Sequence, residues 1–283
     1  MKKSFVRFLA VGSLALTLAC QEDQDTMLVP DQATPQLEKT ETLAHIKNLG
    51  YDERVIEDLG DYYVVEGDIL FYKETFYEAQ PDRKLSHSPK NGRSTQYSTG
   101  YPVAPEWQQN IAVYVDPAAS DWQNAVLASL VSYNSLPDCR LSFTLTANSA
   151  VADISIFYDS SLPARTAARA TFPYNGRPGF RIQVNPSFQG EETSAEAQRQ
   201  LIMTHEIGHC LGFRHSNWWQ FGEPERGIVN DSVPYHAELI PGTPREDANS
   251  IMNADILGDS WSGFSQYDTV ALSTLYPLIS EGS

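Results

Sequence analysis

The eleven residues from His205 to His215 read His-Glu-Ile-Gly-His-Cys-Leu-Gly-Phe-Arg-His and contain three imidazoles and one carboxylate. His205 and His209 are four residues apart, so on a helix both side chains lie on one face and can reach one small cation. Gly212 can adopt the left-handed conformation that ends a helix, and the chain reversal that follows would bring His215 back as a third ligand. Three neutral nitrogens leave a fourth tetrahedral position open for water, as in catalytic zinc sites.

Glu206 is too close in sequence to His205 to be an easy ligand, and its reach suits a water molecule on the metal. We therefore predict one catalytic Zn²⁺ held by His205, His209 and His215, with Glu206 as the general base. The base would take a proton from the attacking water and pass it to the departing amine, without a covalent acyl-enzyme. The chain has only six histidines, and three of them lie in this motif, which disfavours an unrelated set of surface or core histidines.

The extended motif resembles that of the metzincins, zinc endopeptidases that include astacins, serralysins and matrixins. The resemblance covers residues 100–277 and is closest to bacterial secreted or lipid-anchored peptidases with the same His-Glu-Ile-Gly-His core. It implies an α+β catalytic domain with a twisted mixed sheet, two main helices and a small irregular C-terminal lobe. It also implies a methionine in a tight turn beneath the metal, for which Met252 is the candidate.

Two departures from the better-known relatives bear on the chemistry. Astacins and serralysins place a tyrosine two positions after this methionine, whereas here that position is Ala254, so no tyrosine ligand is expected there. Matrixin latency depends on a propeptide cysteine that binds the zinc. No cysteine lies between Gln21 and Asp138, which excludes a cysteine switch.

Composition indicates a globular protein and limits its partners. The 283 residues are 41% hydrophobic and 11% aromatic, which fits a chain with a real core. The net charge of −16 argues against nucleic acid and against adsorption to anionic lipid. We expect a monomer that acts on a protein or peptide substrate; calcium sites and the natural substrate cannot be read from the sequence.

The amino terminus reads as a secretory signal peptide over residues 1–19. Basic residues precede an apolar run over 8–19 that is too short to span a bilayer, and the run ends in a sequence that resembles a bacterial lipobox. This predicts an exported bacterial lipoprotein, at the outer membrane or cell surface, that meets the membrane only through a lipidated Cys20; the alternative is a secreted enzyme. The other two cysteines, Cys139 and Cys210, either form a disulfide or remain two buried thiols.

A change in composition near residue 90 predicts a domain boundary, because all seven lysines lie at or before Lys90. Residues 84–100 read as a polar linker, so we assign 20–95 to a lipid-anchored tether and pro-region and 96–283 to the peptidase domain. The pro-region should contain a helix over 42–49 and strands over 62–65 and 68–72 around Glu66-Gly67. Either it occludes the cleft until the linker is cut after Lys90 or Arg93, or it is a permanent accessory module.

Alternating strands and helices follow in the peptidase domain. The predicted strands are 110–116, 141–146, 152–158 and 181–185, the last as an edge strand that would pair with extended substrate, as the resemblance implies. Capping boxes predict helix starts at Ser120 with Gln123, for a helix over 121–134, and at Thr193 with Glu196, for the active-site helix. Ser265 should cap a final helix over 268–276.

The roles of some residues, and the function itself, have alternatives. Trp218 and Trp219 either line a specificity pocket or pack the small lobe, and His236 reads as a surface loop histidine. One alternative function is a non-catalytic surface lipoprotein that uses a zinc-stabilised fold to bind protein, although such a site needs no Glu206. Another is zinc-dependent hydrolysis of a glycan-linked or other amide bond.

Overall fold

The computed structural model describes residues 34–49, 51–75, 96–188, 195–217, 238–244 and 247–278. These residues, apart from Thr34, belong to one compact unit that begins at Pro35. Among them, no helix combines the length and the apolar character needed to cross a bilayer. Several predictions lie outside the described residues: the signal peptide, Cys20, the cut sites at Lys90 and Arg93, the residue 95/96 boundary, Thr193, Trp218, Trp219 and His236.

Four α-helices occur in the described part of the chain. They are α1 (Thr34–Asn48), α2 (Gln123–Asn134), α3 (Ala195–Cys210) and α4 (Gln266–Leu275). The predicted helices over 121–134 and 268–276 and the active-site helix are thereby confirmed. The helix predicted over 42–49 begins eight residues earlier than expected, since α1 starts at Thr34.

Eleven short strands accompany these helices in the described residues. They are β1 (Ile56–Asp58), β2 (Tyr62–Val65), β3 (Ile69–Tyr72), β4 (Tyr97–Ser98), β5 (Ile111–Val115), β6 (Phe143–Thr146), β7 (Ile154–Tyr158), β8 (Ala168–Thr171), β9 (Arg181–Val184), β10 (Phe213–Arg214) and β11 (Glu238–Leu239). Eight of them form one mixed sheet in the order β1-β2-β3-β8-β9-β7-β5-β6, and β10-β4-β11 form a small second sheet. The mixed sheet and the predicted strand positions are confirmed.

The prediction that residues 181–185 form an edge strand is wrong. Strand β9 lies inside the sheet, parallel to β7 on one side and antiparallel to β8 on the other. The sequence Ala-Arg-Ala-Thr of β8 carries little of the β-branched and aromatic pattern that marks a strand, so this neighbour was not predicted. Strand β3 pairs with the other side of β8 in parallel, with Ile69 opposite Ala170 and Leu70 opposite Thr171.

The start of α2 also differs from the prediction. No side chain caps α2 itself, because a 3₁₀ turn over Pro117–Trp122 leads directly into it. Asp116 caps that turn by accepting a hydrogen bond from the amide of Ala118, and Pro117 at the first position supplies the fixed φ that favours an early start. The Ser120–Gln123 capping box is therefore wrong.

Two apolar clusters hold the described residues together. The larger one packs α2 and α3 against the sheet and includes both remaining cysteines, Cys139 and Cys210, as buried free thiols. Of the two alternatives left open by the sequence, two buried thiols are therefore the one that the structure shows. The smaller cluster lies mainly in residues 46–71 and includes Tyr51 and Phe71. Their rings pack against the ring of Phe172, in the segment after β8.

The chain after Gly212 forms the small irregular lobe that was predicted. It carries β10 and β11, a turn over residues 250–253 and α4. Ser265 and Asp268 form a reciprocal capping box at the start of α4, as predicted for Ser265. The buried Asp268 carboxylate also accepts hydrogen bonds from the Ser250 hydroxyl and the Ile251 amide, so α4 holds the turn beneath the active-site helix.

Candidate metal centre and active site

Three histidine rings meet at the end of α3, as the motif spacing predicts. The ring centroids of His205 and His209 are 4.6 Å apart. The ring centroid of His215 lies 5.2 Å from that of His205 and 4.8 Å from that of His209. Gly212 makes the reversal between the second and third rings possible, because its φ of 95° is the left-handed conformation predicted for it. All three histidines are buried.

Each imidazole is oriented by a hydrogen bond at its outer nitrogen. Nδ1 of His205 donates to the Ile251 carbonyl at 2.7 Å, and Nδ1 of His209 donates to the Phe213 carbonyl at 2.8 Å. A carbonyl cannot donate, so these bonds fix the proton on Nδ1 and leave the Nε2 lone pairs directed at the common centre. Outer partners of this kind raise the basicity of a ligand and set its ring orientation.

Met252 lies beneath the histidines and accounts for the glycine inside the motif. A Cβ added at Gly208 would lie 2.5 Å from Sδ of Met252, closer than real Cβ atoms approach other heavy atoms. The amide of Ser216 donates to the Met252 carbonyl at 2.8 Å, which ties the segment after His215 to the same turn. The structure thus places Met252 where a hydrophobic floor was predicted.

Replacing Gly208 by alanine should lower the free energy of unfolding by about 1–2 kcal/mol, because overpacking against Met252 outweighs the better helix propensity of alanine. Denaturant titration of the purified variant measures this change. Gly258→Ala is the matched control, since nothing lies within 4 Å of its added Cβ. Equal stability of the two variants would contradict the close packing of Met252 on Gly208.

The carboxylate of Asp68, in the β2–β3 hairpin, lies beside the three histidines, where a water molecule was predicted. Oδ2 of Asp68 lies 3.0 Å from Nε2 of His215 and 3.5 Å from Nε2 of His205, and its Oδ1 lies 3.8 Å from Nε2 of His209. The four side chains form a cluster of potential metal ligands, with the donor atoms within 4.8 Å of one another. In this chain the candidate ligand set is therefore three histidines and one aspartate, rather than three histidines and water.

Glu66 lies in the same β2–β3 hairpin as Asp68 and binds the outer nitrogen of His215. Its carboxylate accepts from Nδ1 of His215 at 2.8 Å and from Nη2 of Arg214 at 3.0 Å, and all three side chains are buried. The guanidinium of Arg214 also lies over the ring of Tyr51, 3.9 Å from its centroid. Glu66 has a φ of 53°, a strained conformation for a residue other than glycine, which indicates that these contacts stabilise the turn.

Burial and neighbouring charges set the protonation of the site. Burial raises the pKa of Glu206 well above its ordinary value, and the nearby Asp68 carboxylate raises it further. Burial and the adjacent His205 lower the pKa of His209 to about 4. Burial alone would lower the pKa of His215, but the carboxylates of Asp68 and Glu66 raise it to about 10. Departure of Asp68 from the cleft would therefore lower the pKa of Glu206 and increase the fraction of its carboxyl group that is ionised and able to accept a proton.

The donor set fits a zinc ion. Nε2 of His209, Oδ1 of Asp68 and Oε2 of Glu206 are buried and make no hydrogen bond within the described part of the chain. Buried polar atoms without partners are costly, and two of these, Nε2 of His209 and Oδ1 of Asp68, lie 3.8 Å apart within the ligand cluster. Imidazole nitrogen and carboxylate oxygen are ligands that zinc accepts in tetrahedral sites.

Sequence reasoning missed three charged residues near this site. Glu66 and Asp68 lie in the β2–β3 hairpin, and Arg169 lies on β8. One signal was available for Glu66. Tight hairpin turns with two residues at positive φ strongly prefer asparagine, aspartate or glycine at the first of them, so a glutamate before Gly67 is out of place. Such a residue points to a side chain with a specific partner.

Comparison with known proteins shows that a protein-family model matches most of this chain. The model of the Peptidase M57 family, described as dual-action HEIGH metallo-peptidase, matches residues 65–276. Among curated proteins, no sequence matches this chain.

Several solved structures are similar at low identity. One structure of myroilysin is 13% identical over 61% of this chain and 81% of that chain, with a TM-score of 0.38. Another is 14% identical over 72% of this chain and 99% of that chain, with a TM-score of 0.39. High choriolytic enzyme 1, a hatching enzyme zinc-protease from the medaka fish Oryzias latipes, is 16% identical over 62% of this chain and 93% of that chain, with a TM-score of 0.38.

Proposed function

Because the chain belongs to the Peptidase M57 family of HEIGH metallo-peptidases, we propose that it is a zinc-dependent endopeptidase that hydrolyses peptide bonds of extracellular or host proteins. The observation that carries this proposal is the convergence of three oriented imidazoles beside the buried carboxylate of Glu206. Family membership favours this function over a surface protein that uses the metal only for stability.

The residues of the candidate site have separate roles in the proposed reaction. His205, His209 and His215 would hold the zinc, and Met252 supports them from below. When bound, zinc polarises the scissile carbonyl and makes water easier to deprotonate. Glu206 takes the proton of the attacking water and transfers it to the nitrogen of the departing amine. The buried position of Glu206 keeps its carboxylate out of bulk water, which strengthens its interaction with the charge that develops during attack.

Strand β8 is the candidate to bind extended substrate, in place of the β9 edge predicted from the sequence. Its outer side is occupied by β3, which pairs with it at Ala170 and Thr171. The amide of Ala170 also donates to the Asp68 carbonyl at 2.8 Å. Removal of β3 would expose these backbone groups, and an extended peptide could pair with them while side-chain pockets select its sequence.

We further propose that residues 51–75 keep the enzyme latent until the linker is cut. Three contacts support this. Asp68 lies against the metal-ligand nitrogens, Glu66 holds His215 and Arg214, and β3 covers the strand that substrate would use. The hairpin therefore obstructs both the chemical centre and the peptide-binding edge. A permanent accessory module would instead leave a route for substrate with these contacts intact.

Metal removal tests the peptidase proposal. Protein cut in the segment between residues 75 and 96 should cleave an unfolded protein substrate, lose that activity on treatment with a chelator, and regain it when Zn²⁺ is restored. The loss follows because Glu206 alone cannot activate the scissile carbonyl. Mass spectrometry of the products reports which bonds break. Cleavage that survives complete removal of metal would contradict the proposal.

A mixed panel of substrates separates peptide hydrolysis from action on other amides. Peptides and peptidoglycan fragments are offered at the same concentration to the same preparation. Release of peptide fragments alone supports the endopeptidase, whereas release from the glycan-linked substrate alone supports the amidase alternative.

Export and anchoring through Cys20 are proposed on the amino-terminal pattern described above. A Cys20→Ser variant should then partition into the soluble fraction, whereas the parent chain labels with fatty acid and stays with membranes. An unlabelled parent in the medium would support the secreted alternative.

A further inference from the structure

Arg169 is a buried cation at the cleft that the proposed mechanism does not use. It lies on β8 between Ala168 and Ala170 and is only 3% exposed. Its Nε donates to the carbonyl of Gly67 at 3.1 Å. Gly67 directly precedes Asp68, so Arg169 binds the pro-segment one residue from the carboxylate that lies against the histidines.

The charge of Arg169 is poorly matched by its surroundings. A guanidinium has five N–H donors, and in the part of the chain that the structure describes only one of them bonds, to a neutral carbonyl. No carboxylate among the described residues forms an ion pair with it. The two nearby acids of the hairpin are engaged elsewhere, Glu66 with Arg214 and His215, and Asp68 with the three histidines. A buried guanidinium whose hydrogen bond goes to a neutral carbonyl can gain from an anionic partner, so this site is suited to an incoming carboxylate.

The contact of Arg169 with the hairpin also lies near the metal-ligand cluster. Arg169 donates to the Gly67 carbonyl, and the next residue, Asp68, places its carboxylate 3.0 Å from Nε2 of His215. A group bound to Arg169 would therefore lie within a few residues of the bond being cut. When the hairpin leaves, the Gly67 carbonyl leaves with it, and substrate must replace this acceptor.

We propose that Arg169 is a specificity-determining residue that binds an aspartate or glutamate side chain of the substrate close to the scissile bond. This inference rests on the proposed peptidase function. A carboxylate matches the planar guanidinium with two parallel hydrogen bonds, which a backbone carbonyl cannot do. The pro-segment offers only the weaker neutral partner, which an acidic substrate can displace.

The test uses the full chain, cut between residues 75 and 96, with displacement of the pro-segment checked by gel filtration. Peptide pairs that differ only by glutamate or glutamine are compared at each position around the cut. The parent should favour glutamate at one position by about tenfold or more in kcat/KM, since a charge-assisted hydrogen bond contributes that much. Arg169→Gln should lose this preference, so that its kcat/KM values for the glutamate and glutamine peptides become equal. Arg169→Glu should favour lysine at that position, and Arg169→Lys should keep part of the preference.

Arg165→Gln is the matched control, because Arg165 precedes β8 by only a few residues and is exposed. It should keep the full preference for glutamate. The proposal is overturned if the parent shows no preference for an acidic residue, if Arg169→Gln keeps it, or if the only effect of Arg169→Gln is faster release of the pro-segment.

A binding measurement separates this inference from the activity itself. Fluorescence anisotropy is measured with the acidic peptide and its amide counterpart on the cut Glu206→Gln protein, with and without Arg169→Gln. Tighter binding of the acidic peptide that depends on Arg169 supports the inference even if the parent cleaves nothing, in which case the peptidase proposal alone fails. Equal binding of both peptides overturns the inference.

Discussion

Replacing Glu206 by glutamine should reduce peptide cleavage by the cut enzyme by about 10³-fold, while the amount of bound zinc stays the same. General-base catalysis contributes roughly 10²–10⁴-fold, and the amide cannot accept the proton of the attacking water. Its size matches the carboxyl group, so the packing around the buried side chain is retained. Single-turnover cleavage measures the rate, and elemental analysis measures the metal.

Glu196→Gln is the control for this experiment. It makes the same chemical change on the same helix, but Glu196 is exposed and its ion pair with Arg199 lies in the first turn of α3. This variant should cleave at the parental rate. If Glu206→Gln cleaves as fast as Glu196→Gln, another group is the base and the proposed mechanism is wrong.

Replacing Asp68 by asparagine should give the uncut chain measurable peptidase activity, about 10- to 100-fold above that of the uncut parent. A hydrogen bond to a charged group contributes about 1.5–3 kcal/mol, which corresponds to about 10- to 100-fold in an equilibrium constant. Loss of the carboxylate should therefore increase by this factor the population in which the hairpin has left the histidines. A short peptide substrate is used, and gel electrophoresis confirms that the chain stays intact during the assay.

Asp61→Asn makes the same substitution in the same hairpin at an exposed carboxylate. This control should stay as inactive as the parent until the linker is cut. An Asp68→Asn chain that remains inactive uncut, yet gains the normal activity when cut, would show that the hairpin blocks substrate without help from this carboxylate.

The family match confirms the prediction of a metallopeptidase that the His205–His215 motif supported. The prediction succeeded because every group in that motif acts within eleven residues, where helix periodicity and one glycine with φ of 95° determine which side chains meet. Met252 and Ser265 were also placed correctly, since a turn beneath the ligands and a capping box have local signatures.

The two errors have different causes. Strand β9 was predicted to be an edge because its own sequence does not reveal β8, whose four residues have little strand character. The capping box at Ser120 failed for a local reason, because Asp116 and Pro117 start the helical turn earlier. The first error reflects pairing with another segment of the chain, whereas the second reflects a competing start signal a few residues upstream.

The amino-acid sequence by itself determined the groups of the candidate metal centre: three imidazoles, the carboxylate of Glu206 and the helix that presents them. Only the tertiary structure decided that Asp68 lies beside these imidazoles and that β3 covers β8. Asp68 and His215 are 147 residues apart, and Glu66 and Arg214 are 148 apart. Contacts over such separations depend on how a whole hairpin packs against the sheet, so no local pattern in the chain specifies them.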